Sequence, residues 1–218
     1  MLQKFDENVL VELVEQGIVA DTFRRLKPDK RERIYRTALR LFGEYGFDGW
    51  PIDRLCAEAG ISKGSFFQYV PSKTHLLELV VLLFDNYLAR AVDEIKMHES
   101  AVRAKDRLLY LYDTLVVNTR LHVDEQRFYL FVTSGVLHTG VVLEGIDLSR
   151  HFREYVHDIV ERGVVTGEIR SDYDVLLTGH LVSALISGLV ERRYTGSTSE
   201  RRQIGEYLVT FLFDGIKA

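Results

Sequence analysis

A short stretch in the first third of the chain carries residue types that bind phosphate and nucleic-acid bases. Residues 62–73 read SKGSFFQYVPSK. Ser62 suits a helix N-cap, and the unpaired backbone N–H groups of the following turn favour an anion, together with the helix dipole. Lys63 offers charge to a phosphate or a guanine edge, and Ser65 offers a versatile hydroxyl. Gly64 lacks a Cβ, so another surface can come close.

The aromatic residues and the proline of the same stretch define a very short helix. Pro71 disfavours helical geometry at the residue before it, so the helix must end near Tyr69. We expect Phe66 to lie in the core and Phe67 to face outward. Ser72 can then cap a much longer helix that begins with Lys73.

The elements around this stretch follow from the spacing of apolar residues, which is helical along most of the chain and favours an all-α protein. Asp6 and Gly17 bound a short amphipathic helix, and the segment before Pro28 is polar and basic. Gly46 and Gly60 end the next two helices, and Pro51 opens the second of them. The predicted helices cover 6–16, 28–45, 51–59, 62–69, 72 onward through Ala91, 101–119, 124–137, 148–163, 172–194 and 198–216.

The composition and the charge distribution indicate which class of partner the chain binds. The chain has 218 residues, 46% of them hydrophobic, and a net charge of −4. Residues 21–75 nevertheless carry a charge of +4, and the rest of the chain carries −8. A basic segment on an acidic body is typical of a local phosphate-binding surface. The arginine-rich face of 24–40 fits either a solvated surface or a DNA contact.

The cysteine count and the lengths of the apolar runs indicate the cellular compartment. Cys56 is the single cysteine, which excludes an intrachain disulfide and fits a cytoplasmic protein with a small buried residue at this position. No apolar run reaches the roughly 20 residues that span a bilayer, and the N-terminus lacks the apolar core of a signal peptide. We therefore expect no membrane association.

The sequence contains little that indicates a catalytic or metal-binding site. HFREYVHD (151–158) places His151, Glu154, Tyr155 and Asp158 near one helical face, but it is not HExxH and no cysteine cluster accompanies it. A P-loop and a Gly-x-Ser-x-Gly motif are both missing from the sequence. We interpret the histidines as part of a solvated face, and we expect neither an enzyme nor a metal or other cofactor.

Three short helices with a glycine turn between the second and the third describe a helix-turn-helix head. RIYRTALRLFGEYGFDGWPIDRLCAEAGISKGSFFQYVPSK (33–73) resembles the DNA-binding domain of the TetR family of transcriptional regulators. The resemblance implies a homodimer that binds double-stranded DNA at a palindromic operator, most often as a repressor. It implies DNA contacts from the following residues: Arg31, Trp50, Pro51, Ser62, Lys63, Gly64, Ser65, Phe67, Tyr69 and Lys73.

The sequence departs from the family pattern at two places. The family usually has tyrosine at the position of Phe67, so a hydroxyl contact to phosphate is lost, although a phenylalanine can touch a thymine methyl. Trp50 and Pro51 stand where the family usually has the Ser or Thr that caps the second helix. These departures keep open an alternative, a helical partner-binding protein with weakened DNA binding.

The rest of the chain predicts a dimer interface and an effector site. We divide the chain into an N-terminal extension (1–27), the helix-turn-helix domain (28–72) and an effector-binding and dimerisation domain (73–218). Two late helices carry long apolar stripes that suit a two-fold four-helix interface. Its predicted residues are Leu177, Leu181, Ala184, Leu185, Gly188, Ile204, Leu208, Phe211 and Leu212.

The aromatic middle of the chain supplies the predicted effector pocket. The resemblance implies that this region encloses a small molecule, and its composition suits a hydrophobic or aromatic one. The predicted lining residues are Phe84, Tyr87, Tyr112, Phe131, His138, Phe152, Tyr155 and His180. The effector would favour a state whose two heads are wrongly spaced for successive major grooves.

Overall fold

The structure, a computed structural model, describes residues 5–98, 103–121, 123–133, 147–172, 174–191 and 197–216. The regular elements in these ranges are eleven α-helices, which confirms the predicted all-α class. In chain order they are α1 (Glu7–Glu15), α2 (Asp21–Arg24), α3 (Pro28–Tyr45), α4 (Ile52–Ala59), α5 (Lys63–Tyr69), α6 (Lys73–His98), α7 (Ala104–Leu121), α8 (Val123–Thr133), α9 (Arg150–Val165), α10 (Val175–Glu191) and α11 (Thr198–Ile216).

The predicted helix caps of the first part of the chain are confirmed. The carboxylate of Asp6 accepts from the backbone N–H of Asn8 at 2.9 Å at the start of α1. The hydroxyl of Ser72 accepts from the backbone N–H of His75 at 3.2 Å at the start of α6. Gly60 ends α4 with φ of 68° in the left-handed region, which a residue with a Cβ rarely adopts. Pro51 precedes the first helical residue of α4 instead of occupying it.

The chain folds into two compact units. The N-terminal unit comprises Met1–Arg90 and Val123–Leu148. Its core contains Phe23, Phe42, Phe66 and Phe128, all at most 1% exposed. Helices α3 and α8 pack closely in this unit, since a Cβ on Gly43 would lie 2.9 Å from the backbone nitrogen of Phe128.

The C-terminal unit comprises Ala91–His122 and Ser149–Ala218. Its core gathers side chains from α7, α9, α10 and α11, with Tyr155 and Ile186 fully buried. Helices α7 and α11 are in direct contact, because the hydroxyl of Tyr112 donates to the carbonyl of Arg201 at 3.0 Å. A Cβ on Gly205 would lie 2.1 Å from the ring of Tyr112, so this approach requires glycine.

Several element boundaries differ from the prediction. Helix α2 was not predicted at all, and α10 begins at Val175, after Asp174 accepts from the backbone N–H of Leu177 at 2.7 Å. The predicted helical residues 134–137 and 192–194 lie outside the described residues. No helix in the described part of the chain has the length and apolar character needed to cross a membrane.

Candidate nucleic-acid interface

Helix α5 presents one face to solvent and anchors the other in the core. Ser62 caps it, with the hydroxyl accepting from the backbone N–H of Ser65 at 3.0 Å, as the sequence predicted. Phe66 is fully buried, and its ring meets that of Phe67 edge to face at a centroid distance of 5.1 Å. Phe67 itself is 51% exposed. Phe66 therefore anchors the helix in the core, and Phe67 faces outward.

Gly64 has no structural reason within the protein to be glycine. Its φ is not in the left-handed region. A Cβ built on Gly64 would meet only the hydroxyl oxygen of Ser62, at 4.0 Å, which is ordinary van der Waals contact. Glycine costs a helix about 0.5–1 kcal/mol relative to alanine. The open space outside Gly64 is therefore room for another molecule.

Lys63 is held in a surface ion pair beside Gly64. Its ammonium lies 2.9 Å from the carboxylate of Asp53 on α4, and both side chains are more than half exposed. An exposed pair of this kind contributes about 0–1 kcal/mol. The carboxylate thus orients the lysine at the first turn of α5. Because the ion pair is weak, the ammonium can still bind another anion.

Tyr69, at the end of α5, is paired with a lysine that sequence reasoning did not select. The ammonium of Lys30 on α3 donates to the hydroxyl oxygen of Tyr69 at 3.1 Å. Both residues are half-buried. Because the hydroxyl oxygen already accepts from Lys30, its own proton is available for an outside acceptor. The sequence of α3 gave no signal that would separate Lys30 from the neighbouring basic residues.

Lys73 and Trp50 are in direct contact at the start of α6. The ammonium of Lys73 donates to the carbonyl of Trp50 and lies 4.0 Å from the centre of the indole ring. Burial lowers the pKa of Lys73 from its ordinary value, and the charge of Asp48 acts in the opposite direction. The positive charge of Lys73 is therefore partly withdrawn from solvent.

Two predicted DNA contacts conflict with the structure. Trp50 is 2% exposed, its indole N–H donates to the carbonyl of Gly46 at 2.9 Å, and its ring packs on Phe42. Arg31 is also buried, and its guanidinium donates to the carbonyl of Arg24. Neither side chain faces the outer surface in this conformation. Pro51, next to Trp50, is exposed.

The predicted effector residues fall into both compact units. Phe84, Tyr87 and Phe131 belong to the N-terminal unit, where the ring of Phe84 stacks on Tyr87 at 5.9 Å. The C-terminal unit contains Tyr112, Phe152, Tyr155 and His180. His138 lies outside the described residues.

His180 is exposed, and its ring nitrogen Nδ1 lies 2.8 Å from the carbonyl oxygen of Leu176 on the same helix. It therefore lies on the surface of α10 instead of in the core of the C-terminal unit. Tyr155, by contrast, is fully buried, with the guanidinium of Arg107 at 5.6 Å from its ring centre. Arg107 is itself buried and pairs with Asp158 at 3.1 Å.

Several of the predicted dimer residues are exposed apolar side chains, on α10 and at Phe211 on α11. Leu177, Leu181 and Leu185 follow one another at intervals of four and are 60%, 57% and 46% exposed. Phe211 is 66% exposed. Ile204, Leu208, Leu212 and Gly188 are half-buried, and Ala184 is exposed.

Two further large exposed side chains, Leu176 on α10 and Tyr207 on α11, were not selected from the sequence. Tyr207 is 75% exposed. Their exposure depends on the rotation of each helix about its own axis. The spacing of apolar residues did not specify that rotation at these positions.

The described residues contain no group of three or more histidine, cysteine, aspartate or glutamate side chains placed to hold a metal ion.

Comparison with known proteins identifies a family model that matches the head and relatives that are similar to longer parts of the chain. The model of the family described as bacterial regulatory proteins, tetR family, matches residues 34–80. The HTH-type transcriptional regulator YerO of Bacillus subtilis is 34% identical over 77 residues, which is 35% of this chain and only 26% of YerO. The HTH-type transcriptional repressor AcnR of Corynebacterium glutamicum is 21% identical over 175 residues, 79% of this chain and 86% of AcnR.

A solved structure shares the fold beyond the matched head. The transcriptional regulator FadR from Bacillus subtilis, in complex with stearoyl-CoA, superposes with a TM-score of 0.67 at 16% identity. The superposition covers 85% of this chain and 98% of the FadR chain. At this identity the likeness shows the fold.

Proposed function

We propose that the chain is a member of the TetR family of bacterial regulatory proteins, whose model matches residues 34–80, and that it regulates transcription as a homodimer bound to a palindromic operator. The proposed sense of regulation is repression, relieved by a small effector. The observation that supports this best is the outer face of α5. That face exposes Lys63, Gly64 and Phe67, while Phe66 and Val70 hold the helix in the core.

The first turn of α5 is the proposed reader of the major groove. Helix-turn-helix proteins place the N-terminal residues of this helix against base edges. Lys63 would exchange its exposed contact with Asp53 for a phosphate or a guanine edge. The ring of Phe67 is available for the methyl group of thymine. Ser62 and Ser65 donate or accept at the same turn once their mutual contact opens.

Tyr69 and Lys30 are the proposed phosphate anchor at the other end of α5. The hydroxyl proton of Tyr69 and the remaining N–H groups of Lys30 are adjacent donors, because Lys30 already donates to the Tyr69 oxygen. A single phosphate oxygen accepts naturally from such a pair, and the positive charge strengthens both hydrogen bonds. Such a contact positions the head on the duplex without reading sequence.

Lys73 is the proposed backbone contact at the start of α6. It is the first residue of a long helix, so the helix dipole adds to its attraction for phosphate. Its ammonium is bound to the carbonyl of Trp50, and a phosphate would replace or share that contact. The proposed role of Trp50 is thus to support Lys73 from the core, and Pro51 is the exposed neighbour.

The exposed apolar surface of α10 and α11 is the proposed homodimer interface. Leucines that follow at i, i+4 and i+8 and remain about half exposed form a stripe suited to a second copy of the same helix. Leu176 on α10 and Tyr207 and Phe211 on α11 are further large apolar side chains that are exposed. A palindromic operator requires two heads related by the same two-fold axis.

The C-terminal unit is the proposed effector-binding part. Tyr112 and Tyr155 are buried in one apolar cluster with Phe152 packed against it, and Arg107 adds a buried polar group beside Tyr155. The FadR protein with its stearoyl-CoA ligand supports a hydrophobic effector by analogy of fold. We accordingly propose a small hydrophobic or aromatic molecule, and fatty acyl compounds are the first class to test.

Helix α6 is the proposed connection between effector and DNA. It runs without a break from Lys73 in the N-terminal unit to His98 in the C-terminal unit. An effector that binds one position of this helix better than another shifts the population of head positions. The proposed DNA-binding domain is 28–72, with 1–27 as an extension and 73–218 as the dimerisation and effector domain.

The test begins with the purified full-length chain and a pool of random-sequence duplexes. We expect repeated selection to enrich a palindromic site, and binding to weaken steeply as salt rises because counterions are released. A thermal-shift panel of acyl-CoAs, fatty acids and aromatic acids should then contain a compound that raises Tm and weakens binding to the selected site. Failure to enrich any sequence would contradict the proposal.

A further inference from the structure

The segment that precedes the family-matched residues binds the C-terminal end of α5. The backbone N–H of Ala20 donates to the carbonyl of Tyr69 at 2.9 Å, and the hydroxyl of Thr22 donates to the carbonyl of Gln68. The last carbonyls of any helix have no intrahelical partner. Two of those of α5 are therefore satisfied by residues 20–22, outside the matched range 34–80.

That segment is itself fixed to the N-terminal unit. Phe23 is fully buried, and its ring lies 6.4 Å from that of Phe5. Arg24 joins α2 to α1 through Glu7 at 2.7 Å, and it also binds Asp21 at 2.9 Å. Residues 5–26, termed here the N-terminal brace, are thus a packed support for α5.

A support of this kind matters because α5 has only 7 residues. Helices this short are not stable on their own in water, so their position is set by tertiary contacts. Ser62 caps its N-terminal end, and Phe66 anchors it in the core. The N-terminal brace holds its C-terminal end. The tilt of α5 decides whether Lys63 and Phe67 reach base edges.

We propose that the N-terminal brace positions the recognition helix, and that Thr22 is a positioning residue for operator binding. This inference rests on the proposed function, since it concerns the same DNA-reading helix. Thr22 acts through the carbonyl of Gln68 and not through DNA. Its loss should therefore reduce discrimination between operator and other DNA, while leaving the number of phosphate contacts unchanged.

The decisive comparison is Thr22→Val against Thr22→Ser in the full chain. Valine keeps the shape and removes the hydroxyl, and serine restores the hydroxyl. Fluorescence anisotropy would measure Kd for a duplex selected by the wild-type chain and for a scrambled duplex of the same composition. We expect Thr22→Val to weaken operator binding by about threefold to tenfold. Binding to the scrambled duplex and the salt dependence should remain as in the wild type, and Thr22→Ser should restore operator binding.

Ala20→Pro provides a second variant directed at the other carbonyl. Ala20 has φ of −80° and ψ of 157°, which proline adopts readily, but the ring Cδ would take the place of the hydrogen that points at the Tyr69 carbonyl, so the change removes the donor and pushes the end of α5 away. We expect the same selective loss of operator affinity. Thermal melting followed by circular dichroism would accompany each measurement.

Three outcomes would overturn the inference. Thr22→Val and Ala20→Pro could bind the operator as tightly as the wild type. Thr22→Val and Thr22→Ser could lose operator and scrambled binding equally, together with a lower Tm, which would indicate a purely structural role. A wild-type chain that selects no DNA sequence would refute the proposed function and this inference with it, whereas the first two outcomes leave the proposed function intact.

Discussion

Replacing Gly64 by alanine should move stability and DNA affinity in opposite directions. The added Cβ would meet only the hydroxyl oxygen of Ser62 at 4.0 Å, so no clash arises within the protein. Alanine is favoured over glycine in a helix by about 0.5–1 kcal/mol. For a chain of 218 residues this corresponds to a Tm increase of about 1–4 °C.

The same methyl group projects into the space that the proposed function assigns to DNA. Forcing an extra carbon into a close-packed contact costs about 1–3 kcal/mol. A homodimer makes the contact twice, once at each half-site. We therefore expect Gly64→Ala to weaken operator binding by more than tenfold while the protein becomes slightly more stable.

The assay pairs thermal melting with anisotropy titration of the selected duplex, and Gly60→Ala is the matched control. Gly60 also has open space around it, but its φ of 68° strains any residue with a Cβ, so this control should lower Tm. A Gly64→Ala chain with raised Tm and unchanged operator Kd would refute the reasoning that the glycine serves close approach. A lowered Tm would refute the stability argument.

Three further predictions concern the surfaces assigned above. Tyr69→Phe should weaken operator binding by about threefold to tenfold without altering the salt slope, whereas Lys30→Met should also reduce that slope by about 1 per protomer, as measured by anisotropy across a salt series. Phe67→Tyr should tighten operator binding, since its 51% exposed ring leaves room for a hydroxyl directed at phosphate, and an unchanged or weaker Kd would count against a groove-facing ring. The double substitution Ala184→Arg with Leu208→Arg should yield monomers that bind the operator poorly, and a stable dimer in sedimentation would contradict the proposed interface.

The helix-turn-helix head was predictable because its signals are local. Ser62 and Ser72 cap helices by hydrogen bonds to residues three positions away, so sequence spacing alone indicates them. Gly60 ends α4 through a backbone conformation that glycine adopts readily. Phe66 and Phe67 were separated correctly because a helix with one buried face places neighbours on different sides.

Features that depend on distant contacts were missed. Helix α2 has 4 residues, too few for any apolar period, and its position is set by contacts with α5. Trp50 was expected at the DNA surface, but its indole turns back onto Phe42 and donates to Gly46. Arg31 was expected there too, but it extends under Phe5 to a carbonyl of the N-terminal brace. A single sequence does not specify these rotations.

The positive charge of residues 21–75 is distributed unevenly once the fold is known. Several arginines of α3 and α4 are occupied by carboxylates, and an approaching phosphate would have to displace them. The pairs are Arg36–Glu32, Arg40–Glu44 and Arg54–Glu58. Within the described residues, Lys30 and Lys73 form no ion pair. They adjoin Tyr69 and Trp50, respectively. A phosphate at Lys30 competes with a hydroxyl, and at Lys73 with a carbonyl near the charge of Asp48, instead of with a direct ion pair. The attraction of the head for DNA is therefore expected to depend on these lysines more than on the arginine-rich face that dominates the sequence.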